Sequence, residues 1–329
     1  MSVLTDIQNL KTNVCKDIIG QQDVVDHLII SLLCNGNLLI EGLPGLAKTR
    51  AIKSLSKNID CDFNRIQFAP DLAASDITGR EMLYTHEDGK HSYKFEQGPI
   101  FSNLVLADEI NRAPAKAQSC LLEAMEERQV TVAAVQHKLP KLFMVMATMN
   151  PSTQHGTNAM AEAQLDRFMM HVRVDYPDEE SEVEVLRLVR GEDKTIVKSD
   201  ATVEKSKIKI LPQDDIFQAR SEIDKITISP QMERYIVDLV FATRYPERYS
   251  YQLKSCIAEG VSPRGSLSLD KAVRAHAWFT GQSEVKPENI AAMIHSCLRH
   301  RLPIPDDAKK DNVTPDVVID ELLKVVKIP

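Results

Sequence analysis

The chain has 329 residues, of which 43% are hydrophobic and 26% are charged. This balance is typical of a globular protein and excludes a disordered chain, and the length allows one large domain or two modest ones. The net charge of −7 argues against general nucleic-acid binding, which needs clustered lysines and arginines.

Cysteine use and hydropathy point to the cytoplasm. The six cysteines are scattered, without a CxxC pair or metal-ligand spacing, which predicts reduced thiols. No stretch approaches the ~20 apolar residues of a membrane span, and the N-terminus lacks the apolar run of a secretory signal. We therefore expect a cytoplasmic protein with no membrane span.

Strand and helix patterns alternate through the first half of the chain. Residues 24–33 have helical periodicity, residues 38–40 form a short apolar run, and a glycine-rich turn then opens a helix through about residue 57. Further apolar runs typical of buried strands occupy residues 63–68, 104–107, 142–147 and 169–174. This alternation predicts an α/β fold with a parallel sheet covered by helices on both faces.

Two segments interrupt the alternation and are predicted to be β-hairpin inserts, at about residues 79–98 and 128–142. Asp88-Gly89 is a strong turn signal in the first, whereas the second turn, Ala133-Ala134, has no glycine. After residue 175 the pattern becomes helical, so we predict a core over residues 1–175 and a helical domain over 176–329. A polar stretch at residues 191–209 is predicted to be a mobile loop.

A phosphate-binding loop is predicted between the first strand and its helix. The segment fits G-x-x-x-x-G-K-[ST] except that alanine replaces the second glycine, and its residues are Gly42, Leu43, Pro44, Gly45, Leu46, Ala47, Lys48 and Thr49. Such a loop supplies backbone N–H groups around the phosphates, a lysine for the β and γ oxygens and a hydroxyl for Mg²⁺. A chance glycine-rich turn is the alternative, but the preceding strand and following helix favour the phosphate loop.

Polar side chains end two later strands. Asp108 and Glu109 follow the apolar run 104–107, and Asn150 follows the run 142–147. Ligands bind at the carboxyl ends of such strands, so Asp108 is predicted to hold Mg²⁺ through water and Glu109 to polarise the attacking water. Asn150 could contact both the γ-phosphate and that water. Solvated acids and an ordinary turn asparagine are the alternatives.

Two arginines complete the set of candidate catalytic residues. Arg167 ends a short helix before a strand, and Arg264 lies in the first turn of a helix that begins with Ser262-Pro263. A planar guanidinium suits the charge that develops on a transferred phosphoryl group, although each arginine could instead form a surface salt bridge. We expect Arg264, on the helical domain, to couple that domain's position to the nucleotide through a hinge near Tyr176-Pro177.

The motifs GLPGLAKT, LVLADEINRAPAKAQSCLLEAMEERQVT, ATMNP, EAQLDRF and SPRG together resemble the MoxR family of AAA+ ATPases, in order and over nearly the whole chain. The resemblance implies an αβα core followed by a helical lid, assembled into a homo-oligomeric ring that is usually a hexamer. It makes Lys48 and Thr49 Walker A residues, Asp108 and Glu109 Walker B, Asn150 sensor 1, Arg167 a finger given to a neighbouring subunit and Arg264 sensor 2. The segment around Ile19 and Gly20 would receive adenine.

The family's role implies ATP- and Mg²⁺-dependent, chaperone-like remodelling, maturation or metal-cofactor insertion of a client protein, often with a von Willebrand factor A domain partner. Two other classes stay open: a nucleotide-gated assembly scaffold and a DNA-translocating motor. Within the chaperone class, a magnesium-chelatase-like subunit is a further possibility. Departures from the family pattern at residues 158–161, 133–134 and 245–260 bear on partner contacts more than on ATP hydrolysis.

Overall fold

A computed structural model describes residues 2–43, 45–46, 48–86, 90–151, 156–197 and 210–328. The elements up to the first hairpin are α1 (Val3–Asp17), α2 (Gln22–Leu33), β1 (Leu38–Gly42), α3 (Lys48–Lys57), β2 (Phe63–Gln67), α4 (Ala74–Thr78), β3 (Gly79–Thr85) and β4 (His91–Gln97). They are followed by β5 (Leu104–Asp108), α5 (Ala115–Glu127), β6 (Gln129–Val132), β7 (Val135–Lys138), β8 (Met144–Met149), α6 (Glu162–Leu165) and β9 (Met170–Val174). The C-terminal helices are α7 (Glu179–Val197), α8 (Gln213–Ile223), α9 (Pro230–Arg244), α10 (Tyr251–Cys256), α11 (Pro263–Phe279), α12 (Pro287–Leu298), α13 (Asp306–Lys310) and α14 (Pro315–Val325).

A five-stranded sheet forms the centre of the molecule, in the order β2-β5-β8-β1-β9, and every pairing within it is parallel. Successive strand residues point to opposite faces, so Leu38 and Ile40 join one apolar cluster and Leu39 joins the other. The first cluster includes α1, α2, α3 and the C-terminal helices from α8 to α14, and the second includes α5. The predicted α/β fold, with a parallel sheet and a helical C-terminal region, is confirmed.

The two hairpins, β3–β4 and β6–β7, form separate two-stranded sheets. They meet where the Phe95 ring stacks on the His137 ring, with centroids 3.9 Å apart. The turn residues Ala133 and Ala134 have φ of 48° and 64°, which is the left-handed backbone that a two-residue hairpin turn requires. Alanine adopts this backbone at a cost that glycine avoids. The predicted Asp88-Gly89 turn lies outside the described residues.

Helix α7 corrects one prediction. The stretch 191–209 was predicted to be a loop, but α7 continues to Val197, and residues 198–209 lie outside the described part of the chain. Residues 191–197 are mostly polar, so they give little of the apolar periodicity from which a helix is predicted. Within the described residues, no helix combines the length and the apolarity that crossing a lipid bilayer requires.

Candidate functional site

The predicted nucleotide residues meet at the carboxyl edge of the sheet. β1 lies between β8 and β9, so the strand order reverses beside it, and such switch points are where open parallel sheets bind ligands. A cleft of about 600 Å³ opens there. Its lining residues are Gly45, Leu46, Lys48, Thr49, Arg50, Lys53, Asp108, Glu109, Asn150 and Val185. This volume lies within the ordinary range for small-molecule sites.

Lys48 occupies the floor of this cleft as the first residue of α3 and is only 8% exposed. Its ammonium donates to the carbonyl oxygens of Gly42 at 2.6 Å and Met149 at 3.2 Å, and to Asn150 Oδ1 at 3.1 Å. Burial lowers the pKa of Lys48, and the nearby carboxylates, Asp108 first among them, oppose that shift. The lysine is thus held between the loop strand and the end of β8. Pro44 and Ala47 of the predicted loop lie outside the described residues.

Gly42 closes β1 in a position that admits no side chain. A Cβ added there would lie 2.7 Å from the carbonyl oxygen of Val174, which is the backbone of the neighbouring strand and cannot move aside cheaply. Gly45 has a φ of +89°, a conformation that only glycine adopts readily. Both glycines of the motif therefore have a backbone reason to be glycine.

Asp108 ends β5 and is 7% exposed. One carboxylate oxygen accepts from the Thr148 hydroxyl at 2.5 Å, and the other accepts from Arg65 Nε at 3.0 Å and Nη2 at 2.6 Å. The carboxylate oxygens of Asp108 suit Mg²⁺, which prefers oxygen ligands and commonly binds through one carboxylate, waters and substrate phosphates. Among the described residues there is no cluster of three or more His, Cys, Asp or Glu that could hold a metal without such help.

Glu109 directly follows Asp108 and has a left-handed backbone, with φ 58° and ψ 47°. Its N–H donates to the Thr148 hydroxyl at 2.9 Å. Its carboxylate accepts from Asn150 Nδ2 at 3.1 Å and from Gln67 Nε2 at 3.2 Å. Sparsely populated backbone conformations of this kind cluster at functional sites, because the surrounding contacts must hold them. The structure thus connects Lys48, Asn150 and Glu109 in one chain of hydrogen bonds.

Sequence reasoning missed Arg65, Gln67 and Thr148, which hold the two acids. Gln67 ends β2 in register with Asp108, and Thr148 lies two residues before Asn150 on β8. The sequence does place polar residues near the ends of strands predicted to be buried, and this pattern could have indicated Gln67 and Thr148. Their contact with the two acids follows only from the strand order, in which β2 and β8 flank β5.

Arg167 and Arg264 lie at the opposite edge of the sheet. Arg167 precedes β9, and two residues later the N–H of Met169 donates to the carbonyl oxygen of Asn37, the residue before β1. The five residues of β1 separate this amino edge from the phosphate loop by roughly 16 Å, at ~3.3 Å per residue. Arg167 pairs there with Glu126 at 3.0 Å.

Arg264 shares this position. It pairs with the same Glu126 and lies 3.8 Å from a carboxylate oxygen of Asp166. The structure therefore brings the two predicted arginines together but brings neither to the phosphate loop of its own chain. The predicted coupling of Arg264 to the nucleotide stays a prediction.

Family models match both parts of the chain. The model for the ATPase family associated with various cellular activities (AAA) matches residues 37–170, and the AAA lid domain model matches residues 251–322. The chaperone MoxR1 of Mycobacterium tuberculosis is 38% identical over 313 residues, which cover 95% of this chain and 79% of that protein. This chain belongs to the MoxR family of AAA+ ATPases. Members of this family bind nucleotide.

Other comparisons agree with the assignment to the MoxR family. The protein MoxR of Paracoccus denitrificans is 28% identical over 328 residues, which cover 95% of this chain and 93% of that protein. A crystal structure of a Cytophaga hutchinsonii protein described as an ATPase superposes with a TM-score of 0.86 at 38% identity. The superposition covers 99% of this chain and 96% of that one, so the fold is shared over the core and the lid.

Gly20, predicted to lie near adenine, packs against the start of α7. Its φ is +73°, and an added Cβ would lie 2.8 Å from Ser181 and 3.3 Å from Pro177. Val185, one turn further along α7, lines the phosphate cleft. Ile19 beside Gly20 is half-buried. Helix α7 therefore borders both the predicted adenine region and the phosphate cleft of this MoxR-family protein.

Arg301, which follows α12, anchors the segment that carries Arg167, and sequence reasoning did not identify it. Its side chain is 2% exposed and pairs with Asp166 at 2.7 Å. Its guanidinium also donates to the carbonyl oxygens of Phe168 at 2.6 Å and Met169 at 3.2 Å. Asp166 in turn accepts from the hydroxyl of Ser262, the N-cap of α11, at 2.9 Å. The lid and the arginine-bearing segment are thus fastened together.

Removing this buried cation is expected to destabilise the protein. Arg301→Met leaves Asp166 without its main partner and removes a donor from the carbonyl groups of Phe168 and Met169, and breaking such a buried pair costs on the order of 3–5 kcal/mol. Urea unfolding followed by circular dichroism measures the loss. Arg234→Met is the matched control, because Arg234 is 75% exposed and pairs with Asp238 one turn away. This substitution is expected to cost less than about 1 kcal/mol. Equal effects of the two substitutions would contradict the anchoring role.

Proposed function

We propose that this protein hydrolyses ATP to ADP and phosphate and uses the cycle for chaperone-like remodelling, maturation or metal-cofactor insertion of a partner protein in the cytoplasm. The observation that carries the hydrolytic part is the hydrogen-bonded chain from Lys48 through Asn150 to Glu109. The amide of Asn150 contacts both the ammonium of Lys48, which suits phosphate, and the carboxylate of Glu109, which suits a general base, at the switch point of the sheet. A nucleotide-gated scaffold has no need of that positioned carboxylate.

Each residue at the cleft has a proposed role. Loop backbone groups from Gly42 to Thr49, including Leu43, Pro44, Gly45, Leu46 and Ala47, cradle the phosphates, and Lys48 contacts the β and γ oxygens. Thr49 and, through water, Asp108 hold Mg²⁺, which when bound supplies positive charge at the phosphate oxygens. Glu109 polarises the attacking water and Asn150 orients it. Ile19 and Gly20 border the adenine.

Arg167 and Arg264 act, by this proposal, on the nucleotide of an adjacent subunit. Their place at the amino edge supports this, because the phosphate loop of the same chain is a strand length away. A head-to-tail contact that brings one subunit's amino edge to the next subunit's carboxyl edge generates a closed ring when the rotation closes. We propose a homo-oligomeric ring, a hexamer, that works with a von Willebrand factor A domain protein and a client protein. The name of the M. tuberculosis relative, a chaperone, supports the client-directed role.

The test of nucleotide binding is Lys48→Ala measured by titration calorimetry with Mg·ATP. Loss of the ammonium removes a charge-assisted contact to two phosphates, so ATP affinity is expected to fall by about tenfold or more. Lys53→Ala is the control, since Lys53 lines the same cleft one turn further along α3. Wild-type affinity in the Lys48→Ala protein would remove the phosphate-loop assignment.

A further inference from the structure

Helix α7 carries an exposed stripe that nothing in the described chain buries. Glu179, Glu182, Val183 and Leu186 are spaced i, i+3, i+4 and i+7, so they share one face of the helix. Val183 is 46% exposed and Leu186 is 51% exposed. None of the described side chains of α7 is buried. A helix draws most of its stability from packing an apolar face, so this face, called here the α7 stripe, is suited to cover by another surface.

A second exposed stripe runs along α9 and into the turn that follows it. Val237, Phe241, Arg244 and Tyr245 are spaced i, i+4, i+7 and i+8, and the three apolar members are each about 40% exposed. The Arg244 guanidinium lies 5.1 Å from the centre of the Phe241 ring, and that of Arg248 lies 4.3 Å from the centre of the Tyr245 ring. These five residues, called here the α9 stripe, combine apolar area with positive charge.

The two stripes are complementary in chemistry. The α7 stripe has two glutamates at its N-terminal end followed by two aliphatic side chains, and the α9 stripe has aliphatic and aromatic side chains followed by arginines. Apolar contact flanked by opposite charges gives an interface both affinity and register. Neither stripe offers such a match to a second copy of itself, so each stripe pairs with the stripe of the other kind, and in a ring this contact runs head to tail from one subunit to the next.

Their positions relate them to the two edges of the sheet. The start of α7 borders the phosphate cleft, through Ser181 beside Gly20 and Val185 in the cleft wall. The end of α9 borders the start of the helix that carries Arg264, because Arg244 Nε donates to the carbonyl oxygen of Val261 at 2.8 Å. The α7 stripe therefore lies beside the cleft that contains Lys48, and the α9 stripe lies beside the start of the helix that carries Arg264.

We infer that the α9 stripe of one subunit packs on the α7 stripe of the next subunit in the ring, with Arg248 facing Glu179 and Glu182. This inference rests on the proposed ring, and it names the surfaces that bring Arg264 to the neighbouring nucleotide. Because α9 belongs to the helical lid, this contact would couple the position of the lid to assembly of the ring. The occupant of each stripe is a second copy of this chain.

A charge-swap experiment on the full-length chain tests the pairing. Assembly is followed by sedimentation velocity with a slowly hydrolysed ATP analogue and Mg²⁺, over a range of protein concentrations. Arg248→Glu and Glu179→Lys/Glu182→Lys are each expected to raise the concentration needed for assembly about tenfold, since each places like charges opposite one another. The chain that carries all three substitutions is expected to recover assembly towards the wild-type concentration, because the charges are again opposite.

Two controls separate this contact from general effects. Glu184→Lys makes one glutamate-to-lysine change on the far side of α7, where the test variant makes two on the stripe, and it is expected to leave assembly unchanged. Calorimetry with ATP shows that each variant is folded and binds nucleotide. Wild-type assembly of either charge variant, or no recovery in the triple variant, would overturn the inference while leaving the ring intact. If Arg248→Glu abolished binding of a single-stranded oligonucleotide or an acidic peptide with assembly unchanged, the α9 stripe would belong to that ligand instead. A wild-type chain that stays monomeric with nucleotide would overturn the proposed ring itself.

Discussion

Covalently linked dimers with Arg167→Ala in one half and Glu109→Gln in the other are expected to hydrolyse ATP, whereas each mutant alone is nearly inactive. An arginine delivered to the transition state is worth roughly 10³-fold or more in rate. In an alternating ring, about half of the sites combine the intact Glu109 of one half with the intact Arg167 of the other. Turnover is therefore expected to reach up to about half of that of a wild-type linked dimer.

The linked design distinguishes action across a subunit boundary from action within a subunit. If Arg167 served its own nucleotide, every site in the mixed ring would lack one essential group, and activity would stay at the level of the mutants. Sedimentation of each linked protein checks that rings form, and both orders of the halves are measured. Assembled rings without recovery in either order would return Arg167 to the salt bridge with Glu126 that the isolated subunit displays.

Arg264→Ala can replace Arg167→Ala in the same design. The two arginines share Glu126, so both are expected to be delivered together and to give recovery with Glu109→Gln. A second outcome is recovery of ATPase activity in the linked dimer with Arg167→Ala and no recovery in the one with Arg264→Ala. That result would place Arg264 at the nucleotide of its own subunit, after a movement that breaks its contact with Glu126.

Glu109→Gln by itself is expected to lower kcat by roughly 10²–10⁴-fold and to leave ATP affinity near wild type. The substitution keeps the shape and the amide contact with Asn150 but removes the basic oxygen, and a positioned general base contributes that range of rate. Steady-state turnover and calorimetry on the same preparation measure the two quantities. A fall in kcat with binding unchanged assigns Glu109 to the chemical step.

Glu127→Gln supplies the matched control for Glu109→Gln. It makes the same substitution on an exposed residue at the end of α5 and is expected to change neither quantity. A Glu109→Gln protein that turned over at the wild-type rate would remove the base from the proposed mechanism. The ATP-held Glu109→Gln protein is also the form for affinity capture of the client and of the von Willebrand factor A domain protein, since a stalled remodeller retains what it binds.

Much of the site was predictable because its parts are local in sequence. A three-residue apolar run, a glycine-rich turn and a helix opened by Lys48 specify a strand–loop–helix unit through consecutive residues. The ends of β5 and β8 followed by the same logic, since each apolar run stops at Asp108 or shortly before Asn150. Parallel strands bring their carboxyl ends to one edge, so the meeting of these side chains at the cleft required no further information.

The partners of these residues were not predictable, because they come from distant parts of the chain. Gln67 and Thr148 gain a role only through the strand order β2-β5-β8, and Arg301 reaches Asp166 across 135 positions of sequence. An isolated arginine after a helix carries no periodic signal, whereas its burial depends on how α12 packs against β9. The end of α7 was missed because residues 191–197 are mostly polar and give little apolar periodicity.

The sequence by itself determined that this chain is an AAA+ protein and that Lys48, Asp108, Glu109 and Asn150 meet at one cleft, because residues adjacent in the chain specify the strand ends and the loop spacing. Only the tertiary structure decided which way Arg264 faces. Ser262-Pro263 specifies where α11 begins, but the direction in which that helix carries its arginine depends on Arg301, Asp166 and Glu126, which hold the lid against the amino edge of the sheet. Long-range packing sets that orientation, and no local pattern records it.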